Sequence, residues 1–215
     1  MNGIEATLYL GEEWHGHFCP MLQLTIYRKD FLLQNDLKCI PFLRYEDSEF
    51  SPRAFFFAKR VVPIHEPYYF YRIRPNSITT SKDLNFFIKD RAIITKSLLA
   101  FYDSVSWENS FDTRLVPYWN RQWLSKMNYW FFSPKAQKVI PREKRVEWLS
   151  FIFEDGFRSY DSMMKFGSFF QRTAAFFVRM FVRHPSLRWS SDLFFRFYFK
   201  HVYSKSKPFC TQISN

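Results

Sequence analysis

The chain has 215 residues, enough for one ordinary domain, and its 47 % apolar content excludes wholesale disorder. Aromatics reach 22 %, with 28 Phe, and a formal net charge of +11 points to polyanionic partners such as membrane surfaces, nucleic acids or phosphorylated substrates. With only 5 glycines there is little room for a phosphate-cradling loop, and no glycine-rich fingerprint is present. Cys19, Cys39 and Cys210 match no zinc spacing or disulfide framework, which suits a reducing compartment. Residues 1–13 lack the basic-then-apolar pattern of a secretory signal. No stretch reaches the roughly 18 uninterrupted apolar residues that a spanning helix needs. The longest candidate, Ala174 to Val182, is broken by Arg179. These features predict a cytoplasmic protein, peripheral at the inner face of the cell membrane.

Up to about Thr80 the chain mixes short apolar alternations with turns. Leu22 to Tyr27 reads as a strand feeding a short helix at Arg28 to Leu33. Glu46 to Lys59 spaces Phe50, Ala54, Phe57 and Ala58 near a helical period, with Asp47 or Ser48 as N-cap and Pro52 expected in the first turn. Arg60 to His65 and Tyr68 to Arg74 read as two strands around Glu66-Pro67. Beyond Ser81 the period turns helical: Lys82 to Tyr102 carries Leu84, Phe87, Ile88, Ala92, Ile94, Leu98 and Leu99 on one face. Further helices are expected at about 107–131, 142–155, 162–183 and 190–203, punctuated by Pro134, Pro141 and Pro185.

Between Tyr27 and Ser81 several short segments follow one another in a definite order. Tyr27-Arg28-Lys29-Asp30-Phe31-Leu32 precedes Tyr45-Glu46-Asp47-Ser48-Glu49-Phe50. Ala58-Lys59-Arg60-Val61-Val62, Glu66-Pro67-Tyr68 and Tyr71-Arg72-Ile73-Arg74-Pro75-Asn76-Ser77-Ile78 follow. In this order and spacing they resemble the second half of the family 2 glycosyltransferases that build bacterial surface polysaccharides. The resemblance covers about Trp14 to Lys82. It implies an α/β fold: residues 1–80 as the C-terminal part of a GT-A-like sheet domain lacking its nucleotide-binding half, and residues 81–215 as a basic, aromatic-rich helical region.

The activity implied is inverting transfer of a sugar from a nucleotide sugar to a saccharide or lipid-linked acceptor. Asp47 would take the proton of the acceptor hydroxyl, a task that suits a carboxylate within hydrogen-bond reach. Glu46 would orient the acceptor beside it, although Asp47 also reads simply as a helix cap. Arg72 and Arg74, alternating with Tyr71 on one strand, would face the donor phosphates or the acceptor, since paired guanidinium groups suit a diphosphate. A solvated strand face is the other reading of that pair. Ser77 would bind substrate and, with Asn76, shape the turn. The resemblance also implies Mg²⁺ or Mn²⁺ held by an Asp-x-Asp motif, and no such motif precedes Glu46-Asp47 in this sequence. The chain therefore reads as a truncated product, a mis-started one, or a piece of a split enzyme that needs a complementing N-terminal half.

Two other signals compete for a role. Glu12-Glu13-Trp14-His15-Gly16-His17 offers metal-ligand types, although an exposed polar loop is the simpler reading. Residues 158–207 hold ten basic side chains and two acidic ones, Asp161 and Asp192. There Arg158, Lys165, Arg172 and Arg179 recur beside Phe166, Phe169, Phe170, Ala174, Phe177 and Phe181. That pattern fits either an interfacial helix on anionic lipid or a core helix with a solvated basic face. The alternative to an enzyme is thus a non-catalytic basic module that binds an anionic membrane or a partner protein. Nucleic acid is the weaker version of that idea, because no nucleic-acid motif supports it.

Overall fold

The computed structural model describes residues 1–13, 21–70, 72, 84–105, 112, 114–115, 131, 133–154, 169–187, 190, 192–194 and 197, some of them by backbone alone. The main elements are helices: α1 (Gly3–Glu13), α2 (Lys29–Gln34), α3 (Asp47–Phe57), α4 (Leu84–Val105), α5 (Pro134–Val139), α6 (Arg142–Ile152) and α7 (Phe169–Arg183). Single 3-10 turns lie at Leu22–Leu24 and Pro185–Leu187. No strand occurs among the described residues, which overturns the α/β fold with a GT-A-like sheet.

The physical reason is the missing ladder. β-branched and aromatic residues fit a pleated surface, but a strand exists only where a neighbour takes its backbone hydrogen bonds. Residues 62–70 are exposed and irregular instead of paired. Leu22 to Tyr27, read as a strand, begins as a 3-10 turn and continues without regular structure.

The chain divides into two compact units, Met1–Asp90 and Arg91–Asn215, with the division inside α4. Charge divides with it. Residues 1–90 carry 11 basic and 11 acidic side chains and residues 91–215 carry 20 and 9, so the second unit holds the whole net charge of +11.

In the first unit α1 opens on a reciprocal cap. The Asn2 side-chain oxygen accepts from the Glu5 N–H and the Glu5 carboxylate accepts from the Asn2 N–H, each at 2.8 Å. Helix α1 packs on α3 at a backbone contact, where the Gly3 N–H donates to the Ala58 carbonyl at 2.7 Å. A Cβ on Gly3 would stand 1.7 Å from the Phe55 carbonyl oxygen, so only glycine fits. Leu37, Phe50 and Ala54 form a small core with Leu22, Tyr27, Phe31 and Leu32 against it. Tyr27 meets Phe50 edge to face at 5.5 Å.

Pro52 departs from its expected place. Helix α3 begins at Asp47, so Pro52 lies beyond the first turn and removes a backbone bond to the Ser48 carbonyl. Its cost is carried by the buried face of the helix, which seats Phe50, Ala54 and Phe55.

The second unit follows its helical periodicity. Ala92, Ile94, Leu98 and Leu99 of α4 are buried as their spacing predicts, and Tyr102 and Val105 extend the face. Pro134, taken as punctuation in the sequence, in fact begins α5, and the Ser133 hydroxyl caps it by accepting from the Ala136 N–H at 3.1 Å. Helix α6 buries Arg145, whose guanidinium grips the Asp192 carboxylate through two bonds of 2.8 Å. The same side chain donates to the Ile140 and Phe131 carbonyls at 3.1 and 3.0 Å. Helix α6 packs on α7, where Val178 and Phe181 are buried and the Phe177 ring lies 3.7 Å from that of Phe194.

Candidate functional site

The loop from Asn35 to Glu46 delivers Glu46 and Asp47 to the start of α3. Three non-glycine residues in it adopt left-handed backbone: Asp36, Phe42 and Tyr45, at φ 45°, 59° and 58°. Asp tolerates that region, whereas aromatic residues pay a steric penalty there. Phe42 is also fully exposed. Two strained aromatics thus lie just ahead of the candidate carboxylates, and strain of this kind clusters at functional loops.

Glu46 precedes the helix with helical dihedrals and makes no side-chain cap bond. Asp47 is the first helical residue, and its carboxylate accepts from the Ser48 hydroxyl at 3.3 Å. Neither carboxylate caps α3, and both are half-buried. Beneath them Glu49 is fully buried and paired with Arg53, Oε1 to Nε at 2.8 Å and Oε2 to Nη2 at 2.8 Å. Arg53 also donates to the Lys38 carbonyl at 2.8 Å, which ties the loop to the helix. The Arg44 Nε contacts the buried Asp90 carboxylate at 2.7 Å.

The local field is negative, and Cys39 registers it. Partial burial pushes its thiol above the ordinary range, and the Glu46 and Glu49 charges push it further. Arg53 partly opposes them. At the loop's outer edge, a 2.6 Å hydrogen bond from Lys38 holds the exposed Asp36 below the usual carboxylate range.

Of the residues assigned to substrate, Arg72 is exposed and has no hydrogen bond or ion pair among the described residues. Tyr71, Arg74 and Ser77 lie outside the described residues. So do His15 and His17, while Glu12 and Glu13 end α1 where a loop was expected. Among the described residues no group of three His, Cys, Asp or Glu side chains fits a metal ion, so no step is derived through the cation that the resemblance implies. No family model, curated protein or solved structure matches the chain.

Sequence reasoning missed the Glu49–Arg53 pair, although its i,i+4 spacing within α3 was the available signal. It also missed the loop strain, for which Phe42 and Tyr45 carry no sequence signal, because aromatic residues do not ordinarily mark left-handed backbone.

Proposed function

We propose that the chain takes part in sugar transfer from a nucleotide sugar to a saccharide or lipid-linked acceptor, with Asp47 as the general base. The observation that carries this reading is the position of Asp47: half-buried, on the first turn of α3, with no capping duty and beside Glu46. A carboxylate so placed is free to accept the acceptor's proton as the hydroxyl attacks the anomeric carbon. Glu46 orients that hydroxyl. Arg72 and Arg74 face the donor phosphates or the acceptor, and Tyr71 and Ser77 bind substrate beside them.

The test is radiolabelled transfer from a panel of nucleotide sugars to saccharide and lipid acceptors, with Mg²⁺ or Mn²⁺ present and the folded full chain. Asp47→Asn should lower turnover about a hundredfold or more and leave donor binding by calorimetry unchanged. Absence of transfer by folded wild type would sink the catalytic reading.

A second reading rests on the second unit: a non-catalytic module at an anionic membrane surface. The whole net charge of +11 lies there, and Arg172, Phe176 and Arg183 are exposed along α7. The buried Val178 and Phe181 use the opposite face for the unit's own core. Among the described residues no helix is long and apolar enough to cross a membrane. Salt-sensitive sedimentation with phosphatidylglycerol vesicles, lost in the Arg172→Glu, Arg183→Glu double variant, would support this reading, and equal binding to neutral vesicles would defeat it.

A further inference from the structure

The segment from Val61 to Phe70 leaves Val62, Ile64, Tyr68 and Phe70 exposed at 68 %, 54 %, 50 % and 87 %. Apolar side chains are normally withdrawn from water unless a partner covers them. The backbone shows which edge such a partner would use. Val61 exchanges two hydrogen bonds with Met1: its N–H donates to the Met1 carbonyl at 2.8 Å, and the Met1 ammonium donates to its carbonyl at 3.4 Å. When a chain is extended, alternate residues turn their N–H and C=O groups to the same edge. Pro63 then shares the Val61 edge and contributes no donor there. Val62 and Ile64 share the other edge, and neither makes a backbone hydrogen bond among the described residues. Among the described residues one edge is blocked and occupied and the other is open, and a bend follows at Glu66.

We propose that Val61 to His65 is a docking strand whose Val62–Ile64 edge pairs with a β-strand of a partner polypeptide carrying acidic flanks. An extended partner backbone offers donors and acceptors at the alternating spacing that Val61 to His65 would present on pairing as a strand. Charge selects the flanks: Lys59 and Arg60 lead into the segment and Arg72 follows it, all exposed, with Glu66 the one acid between them. A second copy of the chain is a poorer occupant, because two molecules of net charge +11 repel each other. The docking needs no catalytic role for Asp47.

The test uses the full chain and a fluorescein-labelled peptide, Asp-Val-Thr-Val-Thr-Ile-Glu, followed by anisotropy. Ile64→Pro removes a donor from the open edge, and His65→Pro removes one from the blocked edge. Both substitutions change exposed residues in an irregular segment, so the fold should survive either. Binding should weaken about tenfold in Ile64→Pro, the loss of a hydrogen bond and of strand geometry, and stay within about twofold of wild type in His65→Pro. The same peptide with Lys at both ends should bind at least about tenfold less tightly. No peptide binding, equal loss in both proline variants, equal affinity for the lysine peptide, or a dimer by sedimentation that Ile64→Pro dissolves would each overturn the proposal.

Discussion

In Met1–Asp90, α1 meets α3 through backbone at Gly3, whereas in Arg91–Asn215 the buried Arg145 side chain of α6 ties Phe131, Ile140 and Asp192 together. The first unit has balanced charge and the second carries the whole net charge of +11; each leaves large apolar side chains in water, Phe42, Val62, Ile64 and Phe70 in the first and Phe176, Leu193 and Phe197 in the second. Uncovered apolar side chains favour contact with another polypeptide, and an excess of positive charge favours a polyanion.

The sharpest way to break the contrast is Arg145→Ala. Removing the guanidinium strands the Asp192 carboxylate and two carbonyls, and breaking a buried pair costs about 3–5 kcal/mol. Amide exchange should rise through α5, α6 and α7 in the variant, while the α1–α3 contact stays protected. Equal loss of protection in α1 would show that the units do not unfold separately.

Gly3→Ala probes the other side of the comparison. The clash with the Phe55 carbonyl should cost about 1–3 kcal/mol in urea melts and expose α1, with α6 and α7 unaffected. A third change should stabilise the chain. Phe42→Gly relieves a left-handed aromatic that buries nothing, so unfolding should shift in favour of the native state by about 1 kcal/mol. A loss instead would mean that Phe42 has a partner in solution.

The smallest effect concerns pH. Burial raises the Tyr27 hydroxyl above its ordinary value, and Thr25 and Ser51 pull it partly back, although its oxygen meets no hydrogen-bond geometry. The folded state therefore favours the neutral phenol. Its contribution is fully present below the unfolded value near pH 10 and is lost as the pH rises through the folded value. Tyr27→Phe should change stability by less than about 0.5 kcal/mol at neutral pH and flatten the alkaline limb of a stability-pH curve. An unchanged alkaline limb would assign that loss to other groups.

Much of the second unit was readable because its helices announce themselves locally. The spacing of Ala92, Ile94, Leu98 and Leu99 is the spacing of a buried helix face, and 3.6-residue periodicity needs no distant partner. Helix α3 was readable within two residues at its C-terminal end, from Phe50 and Ala54. Helix α1 was not expected, although Asn2 and Glu5 stand at the separation of a capping pair. The candidate base was named from its motif, while the buried Glu49–Arg53 pair beneath it emerged only from packing.

By itself, then, the sequence determined the helical course of α3, α4, α6 and α7, where the positive charge lies and which carboxylates begin α3, since each depends on neighbours along the chain. Tertiary structure decided the fate of Arg60 to His65, whose composition suits a strand but whose ladder requires a second chain segment at its edge. It also decided the glycine at the α1–α3 contact and the partners of Arg145, which come from residues distant along the chain. Local preference fixes what a segment can become, and hydrogen-bond partners and close packing across long separations fix what it is.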